Sequence, residues 1–453
     1  MNWKVCLLKN RRVGKMKNKS LLISLADRYN GFTPSPVLNK INRSQWLSMR
    51  ELELIQLSSL RGLLSHVVQS VPFYRDYFKE QGLTCEDFKS LDDLDKLPII
   101  DKACINSQLD RFVSVSAQNP KVWLKTTGST GVPFKFVRTR LAQSYKIASR
   151  LRFRNWYGVG RCDRLLNVSG IPPQEHGVVQ DLVHFLHYKA TSKHEIYASE
   201  ITDENITDVA KSIDLLSPKV IMGYPSGIAS LAIKLKNSRL DIHKPLAIFT
   251  NSESLNPLQR KQIEDTFGVI PRSDYVATEG SIAHECPCGG LHVDMEECIV
   301  EIVNQDENGV GDVVLTFLHT FDFPLIRYKI GDRAKWDLTP CACGRGLKKI
   351  SSLLGRSADV IKLPNGKEYS AANINMRIAN YDFIGKVEQY QIIQKNKANI
   401  LLKLVLLDKK DVSTPYLFKE ELSKIFEGCM ISLDLSGELI RGKGGKLRTV
   451  IGL

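Results

Sequence analysis

Between residues 120 and 335, short β-rich runs alternate with helical ones. The helical stretch VAKSIDLLS (209–217) runs into KVIMGYP (219–225), and PLAIFTNSE (245–253) follows a further helical stretch. A chain that inserts a helix between successive strands brings them back in parallel, with helices covering both faces of the sheet. The alternation therefore predicts an α/β fold, a large N-terminal domain with mixed and parallel sheets flanked by helices. Glu297–Val303 and Val313–Phe317 read as strands joined by the turn-rich stretch 304–312. After Gly355-Arg356 the texture changes. Val387–Gln394 and Ile400–Leu407 read as an antiparallel pair, Tyr416–Phe426 as a helix and Met430–Leu435 as a strand, which makes a small α+β domain. Ahead of the sheet, 45–82 is helical, with Leu54, Leu57, Leu60, Leu63, Leu64 and Val67 at helical spacing, a stop at Val71-Pro72 and a second helix from Phe73. The expected domains are a basic arm at 1–44, an N-terminal domain at 45–355 and a C-terminal domain at 356–453.

The chain length of 453 residues suits two or three domains, and 43% hydrophobic with 25% charged residues is the balance of a globular protein with a sizeable core. No apolar run reaches the roughly 18–20 residues of a membrane helix. Half of the net charge of +14 comes from Lys4, Lys9, Arg11, Arg12, Lys15, Lys17 and Lys19, with no acid among them. Such an arm is either solvated or in contact with an anionic partner, a membrane surface or a nucleic acid. The rest of the chain is only mildly basic, so no nucleic-acid partner is expected. Leu21–Ala26 is too short for a signal peptide, and a cytoplasmic location is expected.

Residues 124–136 read LKTTGSTGVPFKF. A loop that holds polyphosphate needs inward-facing backbone N–H groups, for which glycine allows the close approach, and hydroxyls that bond phosphate oxygens. Thr126, Thr127, Gly128, Ser129, Thr130 and Gly131 supply both. The stretch lacks the Gly-Lys-Ser/Thr ending of the Walker loop, and no Gly-x-Gly-x-x-Gly is present.

TTGSTGVP resembles the phosphate loop of the adenylate-forming superfamily of acyl-CoA synthetases, luciferases and peptide-synthetase adenylation domains. YVATEG (275–280), IRYKIGDRA (326–334), GRSADVIKLPNG (355–366) and GGKLRTV (444–450) resemble, in family order, its Tyr-Gly-x-Thr-Glu motif, Tyr-x-Thr-Gly-Asp motif, hinge and terminal Gly-Lys motif. SVPFYRDYF (70–78), DLDKLPIIDK (93–102) and GYPSGIASLA (223–232) are similar to the phenylacetate-CoA ligase branch, and most like members associated with capsular polysaccharide loci. The resemblance covers roughly 45–453. It implies an adenylate-forming N-terminal domain with a mobile C-terminal lid, and an ATP-dependent, AMP-forming carboxylate–CoA ligase using ATP, Mg2+ and coenzyme A on a small carboxylic acid. The implied catalytic residues are Lys446 and Thr278, with Glu279 as the Mg2+ ligand. The phosphate loop (126–131), Tyr275, Asp332 and Arg356 would bind nucleotide. The acyl pocket is expected between Tyr224, Pro225, Ser226, Ser252, Glu253 and the Tyr275 segment, with Asn167–Pro173 on the same cleft. Arg327 reads equally as an acid partner or a structural ion pair. Val276, Phe134 and Ala358 depart from the family pattern, and Asp359 stands alone at the hinge. An acyl transferase acting on a polysaccharide precursor and a non-catalytic nucleotide-binding protein are the rival functions. A homodimer is expected as one arrangement of the chain.

Of ten cysteines, four form two glycine-supported Cys-x-Cys pairs, Cys286/Cys288 and Cys341/Cys343. Four thiolates at two such knuckles suit a structural, tetrahedral Zn2+ site, with His284 and His292 as competing ligands.

Overall fold

The computed structural model describes residues 23–24, 27–28, 31–117, 123–125, 134–170, 192–356, 359–442 and 445–453. The N-terminal basic run and the phosphate loop 126–131 lie outside the described residues, as do Ala358 and the part of 167–173 after Gly170.

Helix α1 spans Pro34–Ser44, α2 Met49–Ser70 and α3 Pro72–Gln81. Ser48 opens α2 with a capping box, its hydroxyl accepting from Glu51 N while the Glu51 carboxylate accepts from Ser48 N. Pro72, which has no N–H to donate, ends α2 and opens α3. The expected helical hairpin is present. Helix α1 differs from the expectation of an arm to residue 44. It packs Val37 and Ile41 against Tyr145 and Ala148 of α4 (Arg140–Asn155), so the folded domain begins well before 45.

The strands are β1 Leu165–Ser169, β2 Lys193–Tyr197, β3 Val220–Gly223, β4 Ala247–Thr250, β5 Arg272–Val276 and β6 Ser281–Glu285. They continue as β7 Leu291–Val293, β8 Cys298–Val303, β9 Gly311–Phe317, β10 Tyr328–Asp337 and β11 Lys349–Arg356. All lie in one sheet of order β8-β9-β10-β11-β7-β6-β5-β4-β3-β1-β2. The run β2-β1-β3-β4-β5 is parallel and the rest antiparallel. In the parallel half β1 has β2 on one side and β3 on the other. The strand order therefore reverses at the carboxyl ends of β1 and β3, the place where open α/β sheets bind ligands. Helices α5 (Ile206–Leu216), α6 (Pro225–Asn237) and α7 (Pro257–Phe267) cover one face, with Val209, Ile213, Leu231 and Ile263 in the core. Helix α4 covers the other, where Phe153 meets Leu165, Val220, Met222 and Phe249.

Beneath α4 lies a wholly buried charge network. Arg152 donates to Asp294, to Glu296 and to the Ile41 carbonyl of α1. His284 sits 3.0 Å from both Asp274 and Asp294. Burial works against a charge on His284, but Asp294 and Asp274 outweigh it and hold the imidazolium up to about 9. Its folded pKa lies above the ordinary 6.5, so its stabilisation is complete below about pH 6.5 and is lost as pH rises through 9. Thermal unfolding followed from pH 6.5 to 9.5 should show a falling midpoint, and His284→Gln should flatten that slope and lower the midpoint most at the acid end.

Past Arg356, β12 (Val387–Asn396), β13 (Asn399–Leu406), β14 (Met430–Asp434) and β15 (Val450–Ile451) form a sheet of order β14-β13-β12-β15. Helices α8 (Ala371–Ile378) and α9 (Ser413–Ile425) supply Ile374, Ile378, Phe418 and Leu422 to its core. This α+β unit rests on α6 and α7: Leu258 of α7 belongs to its core, Gln262 donates to the Val387 and Glu388 carbonyls, and Ser230 donates to Glu388. No helix among the described residues is long and apolar enough to cross a membrane.

Candidate active site

The site forms where three segments leave the carboxyl ends of parallel strands and the C-terminal domain meets them. The first is the turn after β5. Tyr275, near the end of β5, donates its hydroxyl to Asp332 Oδ2 at 2.7 Å. Asp332 lies on β10 directly after Gly331, whose φ of +93° is costly for any side chain. On the neighbouring strand Arg356 faces Asp332 in register. The two expected ribose residues and the expected adenine neighbour are thus gathered at one place, although the Arg356 side chain lies outside the described residues.

Thr278 and Glu279 follow on the same turn. The Glu279 carboxylate is nearly buried and accepts from the Tyr328 hydroxyl at 3.2 Å. Gly280 leaves no room for a side chain: a Cβ there would lie 2.3 Å from the Phe317 ring. Two cations hold this turn from below. Arg138 donates to the Thr278 carbonyl, and Lys146 Nζ donates to the Ala277 carbonyl at 2.6 Å and the Thr278 carbonyl at 3.1 Å. Sequence reasoning missed both, for neither lies in a motif. Burial, reinforced by Arg138 and Arg150, pushes Lys146 down to about 7. Burial, reinforced by Asp294, pushes Glu297 up to about 8, and its carboxylate accepts from Ser281 N at 2.8 Å. A positive base under a carboxylate-bearing turn suits the polyphosphate that the motif resemblance implies.

The second segment follows β3. Gly223 is fixed by sterics, since a Cβ would meet the Val168 carbonyl at 2.0 Å. Tyr224 caps α6, and Pro225 and Ser226 form its first turn. The third segment follows β4. Ser252 adopts a left-handed φ of +68°, which turns Glu253 toward α6. The Glu253 carboxylate accepts from Ser226 N at 3.2 Å, Ser226 Oγ at 3.1 Å and, from the other domain, Leu447 N at 2.6 Å. Glu253 and Ser226 thus act first as a latch between domains, a role beyond the acyl-pocket lining read from sequence.

That latch positions Lys446. Arg441 and Leu447 face each other across a tight turn in which Gly442 N donates to the Lys446 carbonyl and Gly445 takes a φ of +78°. The Lys446 ammonium stands 5.9 Å from the centre of the Tyr224 ring. Two residues on, Arg448 pairs with Asp359, the hinge carboxylate. Removing the latch with Glu253→Ala should slow adenylate formation about 10- to 100-fold, the worth of hydrogen bonds to a charged acceptor. Thioester formation from a supplied acyl-adenylate should change far less, since the latch belongs to this domain arrangement. Rapid-quench assays of the two half-reactions would separate them. Arg327 is a structural residue: it binds Glu301 and the Asp95 and Leu97 carbonyls.

The cysteine cluster sits at the far end of β6 and β7. Cys286 Sγ, His292, Cys341 Sγ and Cys343 Sγ have ligand atoms within 4.8 Å of one another. Cys288 is exposed at the tip of the β6–β7 turn and is not among them, a correction to the all-cysteine set. His292 takes its place because β7 returns along the buried side of the knuckle. There His292 Nε2 lies 3.2 Å from Cys343 Sγ, and Nδ1 3.2 Å from the Leu347 carbonyl. His284, the other competing ligand, is committed to its two aspartates.

No family model matches the chain. Among curated proteins it is 25% identical to Protein CapK of Staphylococcus aureus over 353 residues, 77% of each chain. It is 24% identical over 460 residues to the phenylacetate-coenzyme A ligase of Thermus thermophilus, covering 90% of this chain and 98% of that one. Among solved structures, 2-hydroxyisobutyryl-CoA ligase in its postadenylation state superposes with a TM-score of 0.72 at 17% identity, with 91% of each chain covered. The same ligase in its thioesterification state gives 0.55 over the same shares. The fold is therefore that of the adenylate-forming acid–CoA ligases, in a domain arrangement nearer to the one seen after adenylation. CapK and the phenylacetate-CoA ligases are relatives of this chain.

Proposed function

We propose that this chain is an AMP-forming ligase that activates a carboxylic acid with ATP and passes the acyl group to coenzyme A. The observation that carries the reading is the Leu447–Glu253 latch, which holds Lys446 over Tyr224 at the carboxyl end of β3. The substrate carboxylate attacks the α-phosphorus of ATP, a P–O bond forms, and pyrophosphate leaves with the electrons of the bond that breaks. Lys446 supplies positive charge where negative charge builds on the α-phosphoryl oxygens, and Thr278 contacts the same group. Asp332 accepts from the ribose hydroxyls once Tyr275 releases it. Glu279 is suited to hold a hard dication, and Mg2+ there would supply positive charge opposite the polyphosphate. Coenzyme A then displaces AMP after the domains part, which requires the Leu447–Glu253 and Arg448–Asp359 contacts to break. Product analysis by mass spectrometry, with an acid panel, ATP, Mg2+ and coenzyme A, should give AMP and an acyl-CoA. Formation of ADP, or of an acyl hydroxamate from added hydroxylamine but never a thioester, would redirect the reading to another chemistry or another acceptor.

The same reading includes a structural Zn2+ at Cys286, His292, Cys341 and Cys343. Three soft sulfurs and one imidazole at mutual contact, with the second ring nitrogen bonded to a carbonyl, suit that ion. Metal analysis should find about one zinc per chain. Cys343→Ser should lose it and lower the thermal midpoint, whereas Cys288→Ser should keep both.

A further inference from the structure

One face of α4 carries Lys146, Arg150 and Arg154 at four-residue intervals, so their side chains share one stripe. Each meets the sheet at a different depth. Lys146 reaches the Ala277 and Thr278 carbonyls, Arg150 donates to Asp274 at 3.0 Å, and Arg154 reaches the Met222 sulfur at 3.4 Å. The stripe therefore runs from the activation turn to the floor beside β3, about two helical turns or roughly 11 Å.

Opposite the stripe, the strand ends at the reversal point are polar. On β1, Asn167 and Ser169 face α4, and both donate to Glu195 of β2. These residues are half-buried, while Leu166 and Val168 on the other face are sealed. Lys193, one strand turn before Glu195, lies within electrostatic reach of Glu195, Arg150 and Arg154. Asp274 is already shared between Arg150 and His284. Among the described residues Arg154 forms no ion pair; it donates to a thioether, a weak acceptor, and the one carboxylate within its electrostatic reach, Asp274, is engaged elsewhere. Burial and the neighbouring Arg150 push it down to about 10 despite the pull of Asp274. A phenyl or alkyl tail placed here would leave Arg150, Arg154, Asn167 and Ser169 facing an apolar group at a cost in every contact.

We propose that the acid activated by this chain is hydrophilic and carries a second anionic group, which Arg154 receives beside β3 while Asn167, Ser169 and Glu195 bond hydroxyls along the tail. The inference rests on the ligase reading, because it takes the activation turn as one end of the pocket. A planar guanidinium binds a carboxylate or a phosphate in the same two-pronged way, so the second anion is either one.

The test is isothermal titration of acids into the full chain held with a non-hydrolysable ATP analogue and Mg2+, alongside acid-dependent ATP–pyrophosphate exchange. The arms are phenylacetate and hexanoate, the dicarboxylates glutarate, adipate and tartrate, and the phosphorylated acid 3-phosphoglycerate. Dicarboxylates or the phosphorylated acid should bind at least about tenfold more tightly than phenylacetate. Arg154→Met should cost them about 100-fold and leave the monoacids unchanged, as expected for a charge-assisted pair lost. Arg154→Lys should recover part of the loss, and Glu195→Gln, which removes an opposing anion, should tighten the dianions. Tighter binding of phenylacetate or hexanoate, or an equal effect of Arg154→Met on every acid, would overturn the proposal. Selective dianion binding without exchange by any acid would instead overturn the ligase reading and leave the pocket assignment standing.

Discussion

Lys446→Ala should lower acid-dependent ATP–pyrophosphate exchange by about 10²- to 10³-fold, the usual cost of removing one preorganised group at developing charge. The backbone builds the position. Gly445 supplies the left-handed turn, the Arg441–Leu447 bridge closes it, and the Glu253 carboxylate fixes the Leu447 amide. The side chain is half-buried above Tyr224, so truncation should leave the thermal midpoint within about a degree and ATP affinity nearly unchanged. A large loss of exchange with intact folding and nucleotide binding is the signature of a group used in the transition state. Thioester formation from a supplied acyl-adenylate should survive, because in the proposed cycle that half-reaction follows departure of this turn from the site. Equal loss of both half-reactions would mean that Lys446 supports the lid and not the chemistry.

Arg152→Met should be the most destabilising single substitution in the N-terminal domain, by roughly 3–5 kcal/mol. The guanidinium is fully buried, and its two carboxylate partners, Asp294 and Glu296, are buried with it. Removing the cation leaves both acids dry and uncompensated, with His284 able to balance only Asp294. It also frees the Ile41 carbonyl and so loosens α1 from α4. Denaturant unfolding of the domain should register the loss, and Arg152→Met combined with Asp294→Asn and Glu296→Gln should recover much of it. A single variant as stable as the parent would mean that the pair's desolvation cost cancels its attraction.

The architecture was legible wherever pattern and tertiary context agreed. The alternation over 209–253 gave the parallel strands β3 and β4, and the change of texture after Gly355 gave the small sheet, since period and turn residues report directly on local structure. Helix α1 was obscured because the basic run ahead of it dominates the composition of 1–44, whereas its few apolar residues are satisfied only by Tyr145 and Ala148, more than a hundred positions away. Of the motif residues, Tyr275 bonds Asp332, Glu279 accepts from Tyr328 and Lys446 stands over Tyr224. Of the residues that hold them, Tyr328 lies within the motif stretch 326–334, whereas Arg138 and Lys146 carry no motif, because their role lies in reaching backbone carbonyls across the fold. Only the four-residue spacing of Lys146, Arg150 and Arg154 could have flagged one of them. Cys288 falls outside the cluster because the β6–β7 turn exposes its thiol and brings His292 in from the buried strand, which a repeated Cys-x-Cys spacing does not reveal.

The most direct test of the central claim is pyrophosphate exchange itself: incorporation of labelled pyrophosphate into ATP by the purified full chain with Mg2+, with and without a panel of carboxylic acids. The account predicts exchange that depends on an acid, needs no coenzyme A and is lost in Lys446→Ala. Exchange with no acid in the panel by a folded, ATP-binding chain, or exchange undiminished in Lys446→Ala, would contradict it.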